Sequence, residues 1–304
     1  MVYMKLLTKS FFVFLFSCVA LFPQSAGKSG LSFLKIGSGA RNIALADNGS
    51  IYADDVTAVF YNPAKLSKTT NPEIMLMHNE WIQDVRSEVI AVKFSLFGIP
   101  IGFGFNSTKV GDIEIRQKPG EAEGTFSAQY FFGSLSSAFF IVPELSFGAT
   151  FKFINEDIFQ DYAAGYGLDF GLSYSTPLEN LDAALVVKNV GTMKMLRNES
   201  TKLPSEIRAG LVYSLNLYNS KIEITPGVEF QKYLATEDIH INVGSEFLYD
   251  NLIALRLGYQ TFYEAKNFTG GIGLIWGNLS FDYALSPFSY GLGQGHTVSL
   301  NFKF

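Results

Sequence analysis

The sequence predicts an all-β protein, a transmembrane antiparallel β-barrel of about 14 strands with a short N-terminal helical hatch in its lumen. Three observations favour this fold: apolar and polar residues alternate, the segments have about 9 to 11 residues, and tight connections alternate with long ones. A soluble β-sandwich would show the same alternation, with its apolar face buried between two sheets. Segment length and the alternating connections favour the barrel, whose apolar face contacts lipid.

Residues 1–27 predict a secretory signal peptide. Lysines precede an apolar run over residues 11–22, and small residues follow it. The run is too short and wrongly flanked for a membrane-spanning helix. The chain's single cysteine, Cys18, lies in this run, so signal cleavage would leave neither a disulfide nor a cysteine-based metal site.

Residues 28–72 come before the first strand and predict the hatch, on the periplasmic side. Its predicted elements are a helical turn over 40–46, a turn at Asn48-Gly49, a short helix over 55–61 and a stop at Asn62-Pro63. We expect Asp54 or Asp55 to cap the second helix by accepting bonds from its first backbone amides, and we favour this over a cation site. A segment of this kind can fill a lumen lined with glycine and serine.

Residues 73–304 predict the barrel itself, with alternation that is clear over 88–97, 145–153 and 297–304. An even number of strands places both chain ends on the short-turn, periplasmic side. The last strand ends at Phe304 and resembles the terminal signal read by outer-membrane assembly machinery. The predicted strands start near Ile74, Val89, Ile99, Thr125, Leu145, Tyr166, Leu181, Ile207, Ile222, Ile239, Leu252, Phe268, Leu279 and Thr297.

The predicted connections are short on one side of the membrane and long on the other, as in outer-membrane barrels. Tight ones are predicted at Gly98-Ile99, Pro143-Glu144, 178–180, Asn219-Ser220, Asp250-Asn251 and Gly277-Asn278. Longer ones are predicted over 81–86, 109–124, 156–163, 191–204, 232–238, 261–267 and 286–295. Ring-bearing residues near segment ends fit the aromatic belts of a membrane barrel, namely Tyr174, Tyr249, Tyr259 and Trp276.

The polar face of the predicted barrel carries both signs of charge. Balanced charges predict a paired internal network and argue against a ring that selects ions of one sign. The residues expected to line the lumen are Lys93, Lys152, Asp169, Lys188, Arg208, Glu229, Glu246, Arg256 and Asp282, with Lys303, Asp182 and Glu223 in addition.

Other function classes find little support. A formal net charge of -5 and the lack of a Lys/Arg stripe argue against nucleic-acid binding. The three histidines are scattered without metal-ligand spacing, so we expect no metal and no cofactor. His240 is expected to face the lumen beside Glu246 as a structural hydrogen-bonding group. Because no nucleophile, base and acid form a set, we expect no enzyme.

The N-terminal region also resembles a known family. FLKIGSGARNIAL (33–45), followed by ADD (53–55) and VFYNPAKLS (59–67), resembles the signature of the PorV/PorQ family, within the superfamily of FadL-type outer-membrane transporters. The resemblance implies a fourteen-stranded barrel with an N-terminal hatch inside. Where the family usually has paired glycines after Leu45, this chain has Ala46-Asp47-Asn48-Gly49. The hatch or gating residues that the resemblance implies are Arg41, Asp54, Asp55, Asn62, Pro63 and Ala64.

Two functions stay open for a multi-pass protein of the bacterial outer membrane. Resemblance to PorV/PorQ implies an accessory of type IX secretion or surface attachment, with secreted proteins that carry C-terminal sorting domains and other secretion components as partners. Resemblance to FadL-type proteins implies passive transport of hydrophobic small molecules such as long-chain fatty acids, through hatch movement and lateral exit into the lipid. The match over residues 33–41 favours the first.

Overall fold

A computed structural model describes residues 30–68, 71–217, 220–236 and 238–304. The predicted signal peptide lies outside these ranges, as does Asn219 of one predicted tight turn. Across the described ranges, no helix has the length and apolar character needed to cross a membrane.

Fourteen long strands form one closed antiparallel barrel, which confirms the predicted fold. The first and last strands close the ring, with Glu73 opposite Lys303 and Glu80 opposite His296. The strands are β1 (Glu73–Glu80), β2 (Val85–Leu96), β3 (Ile99–Ile115), β4 (Gly124–Val142), β5 (Leu145–Ile158), β6 (Asp161–Ser175), β7 (Leu181–Met193), β10 (Glu206–Tyr213), β12 (Ile222–Tyr233), β13 (Ile239–Tyr249), β14 (Ile253–Gln260), β15 (Phe268–Trp276), β16 (Leu279–Pro287) and β17 (Gln294–Lys303). Two-residue strands are β8 (Met195–Leu196), β9 (Glu199–Ser200) and β11 (Leu215–Asn216).

The apolar face of the barrel points outward, to the membrane. Alternate residues of the strands are exposed and apolar, as at Phe103 and Phe105 of β3, while their neighbours Gly102 and Gly104 are buried. All four predicted belt aromatics are exposed, and Trp276 is 80% exposed at the end of β15. The polar, glycine-rich face therefore lines the lumen, and the protein is a multi-pass outer-membrane barrel.

Two predicted long connections are shorter than expected. The prediction of a loop over 109–124 is wrong in extent, because β3 and β4 continue on both sides and leave only 116–123 between them. The predicted loop over 156–163 reduces to Phe159 and Gln160, between β5 and β6. These strands exceed the roughly 9 to 11 residues that cross a bilayer, and beyond the bilayer strict apolar alternation is no longer required.

The hatch crosses the lumen from the long-loop end to the short-turn end. Its first described residue, Gly30, donates its backbone N–H to the carbonyl of Lys202 in a long connection, and Lys68 reaches Asp182 at the start of β7. It therefore extends well beyond the periplasmic side on which it was predicted. Its helical elements are 3₁₀ helices at Ser32–Lys35 and Pro63–Lys68 and short α-helices at Ala40–Ala44, Gly49–Tyr52 and Ala58–Tyr61.

Candidate functional site

The hatch lies directly against wall positions that carry glycine. At Gly148, an added Cβ would lie 2.3 Å from the backbone of Pro63 and Ala64, a conflict that no side-chain rotation could relieve. Side chains at these positions would push the hatch out of the lumen, so the wall is shaped to hold it. An added Cβ would meet a hatch atom within 3.0 Å at nine described wall glycines, with hatch backbone at Gly148, Gly244 and Gly258 and hatch side chains at Gly102, Gly104, Gly171, Gly210, Gly227 and Gly271.

The Asn-Pro-Ala triplet attaches the hatch to the wall. The Asn62 amide donates to the carbonyls of Ser50 (3.2 Å) and Leu172 (3.1 Å), and its oxygen accepts the Ala64 N–H at 3.1 Å. The Ser146 hydroxyl donates to the Ala64 carbonyl at 3.0 Å. These bonds join two parts of the hatch to β5 and β6. Because Asn62 is fully buried, each of these bonds replaces water that the group has lost.

A chain of alternating charges joins the hatch to the opposite wall. Arg41 donates through Nε to Glu246 Oε2 (3.0 Å) and through Nη2 to Oε1 (2.9 Å), and its Nη1 contacts Asp54 within the hatch. Glu246 also accepts from Arg256 at 2.5 Å, and Arg256 contacts Asp282 at 2.7 Å. We call the Arg41–Glu246 contact the Arg41 clasp; its bidentate geometry orients both groups.

A second contact has the opposite polarity, with the negative charge on the hatch. Arg208 of β10 donates to the Asp47 carbonyl (2.8 Å) and contacts the Asp47 carboxylate (3.2 Å). Tyr61 donates to the same carboxylate at 2.5 Å. Arg208 is buried and also contacts Glu206 and Glu229, each at 3.1 Å. This Asp47–Arg208 contact is the Asp47 clasp. Together the two clasps fix the hatch electrostatically at two wall regions.

The expectation that Asp54 or Asp55 caps the second helix holds only in part, because that helix begins after Thr57 and its N-cap makes no side-chain hydrogen bond. The Asp55 carboxylate accepts the Thr57 N–H at 2.8 Å, which satisfies an amide ahead of the helix Ala58–Tyr61. Asp54 faces Arg41.

Nine of the twelve residues expected to line the lumen are buried within the barrel, whereas Lys303 is exposed and Asp182 and Glu223 are half-buried. The nine buried residues all form ion pairs, several of them with partners that the sequence did not single out. Lys152 pairs with Asp169 at 2.7 Å, both of them predicted. Lys188, however, pairs with Glu206 at 3.3 Å, and Lys93 with Glu73 at 3.2 Å. The missed carboxylates are the first residues of β10 and β1, and strand starts placed one residue earlier would have included them.

The expectation that His240 lies beside Glu246 is wrong. His240 Nδ1 contacts the Thr261 carbonyl at 3.1 Å, and the ring stacks on Tyr263 with centroids 3.7 Å apart. Six residues along β13 separate the two positions by roughly 20 Å. Among the described residues, no group of three or more His, Cys, Asp or Glu is placed to hold a metal.

Burial makes the charged form of one hatch lysine, Lys65, less favourable. Lys65 is 4% exposed and donates through Nζ to the Ile51 carbonyl at 2.5 Å. Burial lowers the pKa of Lys65 to about 8, although Asp54 opposes this shift. Burial and the nearby Asp47 raise the pKa of Tyr61 well above its ordinary value, so Tyr61 stays a neutral donor.

The hatch turn that replaces the expected glycine pair keeps a glycine-like conformation. Ala46 and Asp47 have φ of 62° and 59°, in the left-handed region that favours glycine. The Gln260 amide donates to the Ala46 carbonyl at 3.0 Å, and the Asp47 clasp holds the next residue. Wall contacts therefore maintain a turn that the residues themselves disfavour by about 1–2 kcal/mol each.

At Gly104 the hatch lies behind an apolar groove on the outer surface of the barrel. An apolar groove of about 440 Å³ lies on the outer surface of β2 to β5, where Gly133 stands opposite Phe105 and Phe153. On the lumen side of Gly104, the hatch ring of Phe60 lies where a Cβ would be, 2.5 Å away. Only backbone separates Phe60 from the groove here. The groove is lined by Ile90, Val92, Phe103, Gly104, Phe105, Gly133, Ser134, Leu135, Phe151 and Phe153.

Little space is left between the hatch and the wall beside Tyr61. A cavity of about 20 Å³ lies there, between the hatch and the basic side chains of Lys152, Lys188 and Arg208. This volume has room for about one water molecule.

Comparisons with known proteins support the fold. No family model and no curated protein matches the sequence. Among solved structures, the toluene transporter TbuX of Ralstonia pickettii aligns with 88% of this chain and 98% of its own, at 14% identity and a TM-score of 0.57. The toluene transporter TodX of Pseudomonas putida aligns over 87% and 96%, at 13% identity and a TM-score of 0.60. The monoaromatic hydrocarbon channel CymD aligns over 88% and 98%, at 12% identity and a TM-score of 0.58. The chain thus shares the barrel fold of these two toluene transporters and this hydrocarbon channel.

Proposed function

We propose that this protein is a passive channel for hydrophobic small molecules, with the hatch as its gate. The observation that carries the proposal is the pairing of Phe60 with the outer groove across Gly104. A hydrophobic solute in the lumen at Phe60 would be one strand thickness from an apolar groove that opens to lipid. The shared fold with hydrocarbon transporters supports the same function. No catalytic step is involved.

Transport by this route needs two movements. The hatch must first leave the wall near Phe60, which requires the Arg41 and Asp47 clasps to loosen. The wall must then open between β3 and β4, whose pairing continues from Ile101 to Val110 in the closed state. Both clasps are non-covalent and face polar groups on each side, so they can exchange protein partners for water as the hatch moves.

The roles proposed for the hatch residues follow from these contacts. Arg41 and Asp54 form one end of the charge chain and hold the gate closed, while Asp55 shapes the hatch backbone. Asn62, Pro63 and Ala64 anchor the periplasmic part of the hatch, so that its outer part moves about a fixed point.

A secretion accessory, the function implied by the PorV/PorQ resemblance, is the second candidate. Residues 33–41 favour it by sequence. In the structure, however, Phe33 stacks on Tyr130 of β4 with centroids 5.3 Å apart, and Arg41 binds Glu246. These contacts hold the hatch inside the barrel, and a hatch held in this way is compatible with either function. The resemblance therefore supports a hatch more directly than it supports secreted-protein partners.

A reversible lock tests the transport proposal. A cysteine pair at Val59 and Gly102 would join hatch to wall, because a Cβ at Gly102 lies 2.4 Å from a Val59 methyl, and the single native cysteine lies in the predicted signal peptide. In a Gram-negative strain without its own hydrocarbon channels, we expect the unlocked protein to raise uptake of radiolabelled toluene or oleate several-fold. Oxidation of the locked variant should abolish this gain, and a thiol reductant should restore it.

Controls separate the two candidate functions. Uptake of a hydrophilic sugar should stay at the vector level, and wild-type protein should not respond to the oxidant. If uptake equals the vector level in the reduced state, the transport proposal is wrong. In that case, deletion in the source bacterium should be examined for loss of surface proteins with C-terminal sorting domains, the result that the secretion function requires.

A further inference from the structure

The connection between β14 and β15, residues 261–267, folds back onto the long-loop end of the barrel. Its base is closed by the Gln260 N–H, which donates to the Asn267 carbonyl at 2.7 Å. The Thr261 N–H donates to the Ile241 carbonyl at 2.9 Å. The connection therefore starts against β13, and we call residues 261–267 the lid loop.

His240 shows that the lid loop covers part of the lumen. Its side chain faces inward at the second position of β13, at the open end of the barrel, and yet it is only 5% exposed. The Tyr263 ring stacks on the His240 ring with centroids 3.7 Å and planes 10° apart. Tyr233 meets the same ring edge-on at 5.9 Å, and Nδ1 donates to the Thr261 carbonyl at 3.1 Å. We call these contacts the His240 latch.

The other side of the lid loop is attached near the end of β1. Lys266 Nζ lies 5.0 Å from the centre of the Trp81 ring, within the range of a cation–π contact. Trp81 packs edge-on against Phe288, and the Ser289 N–H donates to the Ala265 carbonyl at 2.8 Å. Around the ring of strands, β15, β16 and β17 separate β14 from β1. The lid loop thus extends across these strand ends, from β13 to β1.

Two side chains of the lid loop also reach the Asp47 clasp. The Tyr263 hydroxyl shares a hydrogen bond with Tyr233, and the charges of Arg208 and Asp47 act on it. Burial lowers the pKa of the Lys266 ammonium, and the charge of Asp47 opposes this shift. Charged contacts are stronger where water is excluded. The lid loop therefore strengthens the contact that holds the hatch turn to the wall.

The lid loop is held in a conformation that one of its residues disfavours. Phe262 has φ of 63°, in the left-handed region that bulky residues rarely adopt. Its two neighbours, Thr261 and Tyr263, are the residues bound to His240. A backbone of this kind persists only where the surrounding contacts maintain it. When the His240 latch breaks, the lid loop can relax away from the lumen.

We propose that residues 261–267 form a lid over the hatch, latched at His240 and Trp81, that must lift before the Asp47 clasp can open. The lid and the hatch are then two gates in series. The inference concerns access to the hatch turn, so it goes beyond the transport proposal and does not depend on which solute crosses the barrel.

Hydrogen exchange of the detergent-purified full chain, followed by mass spectrometry, tests whether the lid protects the hatch turn. Tyr263→Ala removes the ring that stacks on His240, so peptides that contain residues 46–48 should exchange about tenfold faster than in wild type. Peptides over 62–66, bonded to β5 and β6, should keep the wild-type rate. Glu264→Ala is the matched control, because Glu264 is an exposed residue of the same loop, and it should match wild type throughout.

A reversible cross-link tests whether the lid must lift. Ala265→Cys and Ser289→Cys, joined by a short bifunctional methanethiosulfonate, would fix the lid loop where their backbone bond already brings it close to its neighbour. Exchange over 46–48 should then become slower than in wild type and recover on reduction. The same linker between Ile115→Cys and Glu123→Cys, a backbone-bonded pair in another long connection, should change nothing there.

The cross-linked protein keeps every residue of the His240 latch, so this measurement does not require a weakened variant to fold. Unchanged exchange over 46–48 in the cross-linked protein would overturn the proposal, as would a wild-type rate for Tyr263→Ala. Neither measurement involves transport, so a failed uptake experiment leaves the lid open to test.

Discussion

At the scale of single residues, the Arg41 clasp is the contact whose loss should most directly loosen the hatch. Arg41→Met keeps much of the side-chain length but leaves Asp54 without its partner and Glu246 with Arg256 alone. Charge-assisted bonds of this kind contribute about 1.5–3 kcal/mol. We therefore expect the open probability in planar bilayers to rise about tenfold or more.

An exposed ion pair outside the lumen provides the control for Arg41. Lys221 and Asp250 are 2.5 Å apart on the surface at the short-turn end. Exposed pairs contribute little to stability, so Lys221→Met should leave the open probability unchanged. Equal open probabilities for Arg41→Met and wild type would show that the clasp does not hold the hatch.

Lys65 should make hatch docking depend on pH. Its pKa is about 8 in the docked hatch against 10.5 in water, so between these values the undocked hatch holds a proton that the docked hatch lacks. Docking should therefore strengthen as pH rises from 8 to 10.5, by up to about 3 kcal/mol, and it should be weakest below pH 8. In single-channel recordings, open probability should fall over this range.

The contribution of Lys65 is isolated by comparison with two variants. Lys65→Met should lose this part of the pH dependence, whereas Lys221→Met, which removes an exposed cation on the surface at the short-turn end, should retain it. The difference between wild type and Lys65→Met removes the effect of any other titrating group. If both variants follow the wild-type curve, Lys65 does not control docking.

Residue types could be predicted from the sequence better than residue pairs. Inward charges follow from strand alternation, so Lys152 and Asp169 were placed correctly on the polar face. The wall partners of Arg41 and Asp47 lie more than 160 positions away in the sequence, and alternation carries no information on such separations. The left-handed turn at Ala46 and Asp47 could not be predicted from the sequence either. These residue types disfavour that conformation, and only contacts with the wall make it favourable.

At the scale of elements, the fit between the hatch and the wall glycines should be as important as charge. Gly148→Val would place side-chain atoms within the backbone of Pro63 and Ala64. Overpacking typically costs about 1–3 kcal/mol, and here the hatch is the part that can move away. We expect a larger conductance and faster proteolysis of the hatch in the folded barrel.

Gly133→Val is the matched control on the neighbouring strand. An added Cβ at Gly133 meets no described atom within 4 Å, because this glycine faces the lipid groove. The conductance of Gly133→Val should equal that of wild type. Valine also favours a β-strand more than glycine does. A closed, protease-resistant Gly148→Val variant would show that the glycine is not needed for docking.

Elements were the most predictable level of this structure. Each of the fourteen strands begins within a few residues of its predicted start, and the largest difference is at β6, which begins at Asp161 and not near Tyr166. Period-two alternation is a local property of the sequence and needs only the bilayer to explain it. The ends of β3 to β6 were misjudged because alternation fades where strands leave the membrane.

At the scale of the whole molecule, the barrel closes through its own strands, and the hatch fills a space that those strands leave. The ring is completed by β1 and β17, and the pairing of each strand with its neighbours involves no hatch residue. Removing residues 37–66 should therefore preserve the strand ladder while water takes the place of the hatch at the buried charges. We expect the refolded barrel to keep its β-sheet circular dichroism and to conduct ions with a much larger unit conductance than wild type.

The barrel without residues 37–66 also tests whether the pore is closed by the hatch or by the side chains of the wall. Its conductance should show no Arg41-dependent gating and should lose the Lys65-dependent part of its response to pH, since both residues lie in the deleted segment. Toluene uptake should become independent of oxidant in a strain carrying the deletion together with Gly102→Cys, because Val59 is absent. If the deleted barrel folds with unchanged conductance, the wall side chains alone close the pore, and the hatch is not the gate.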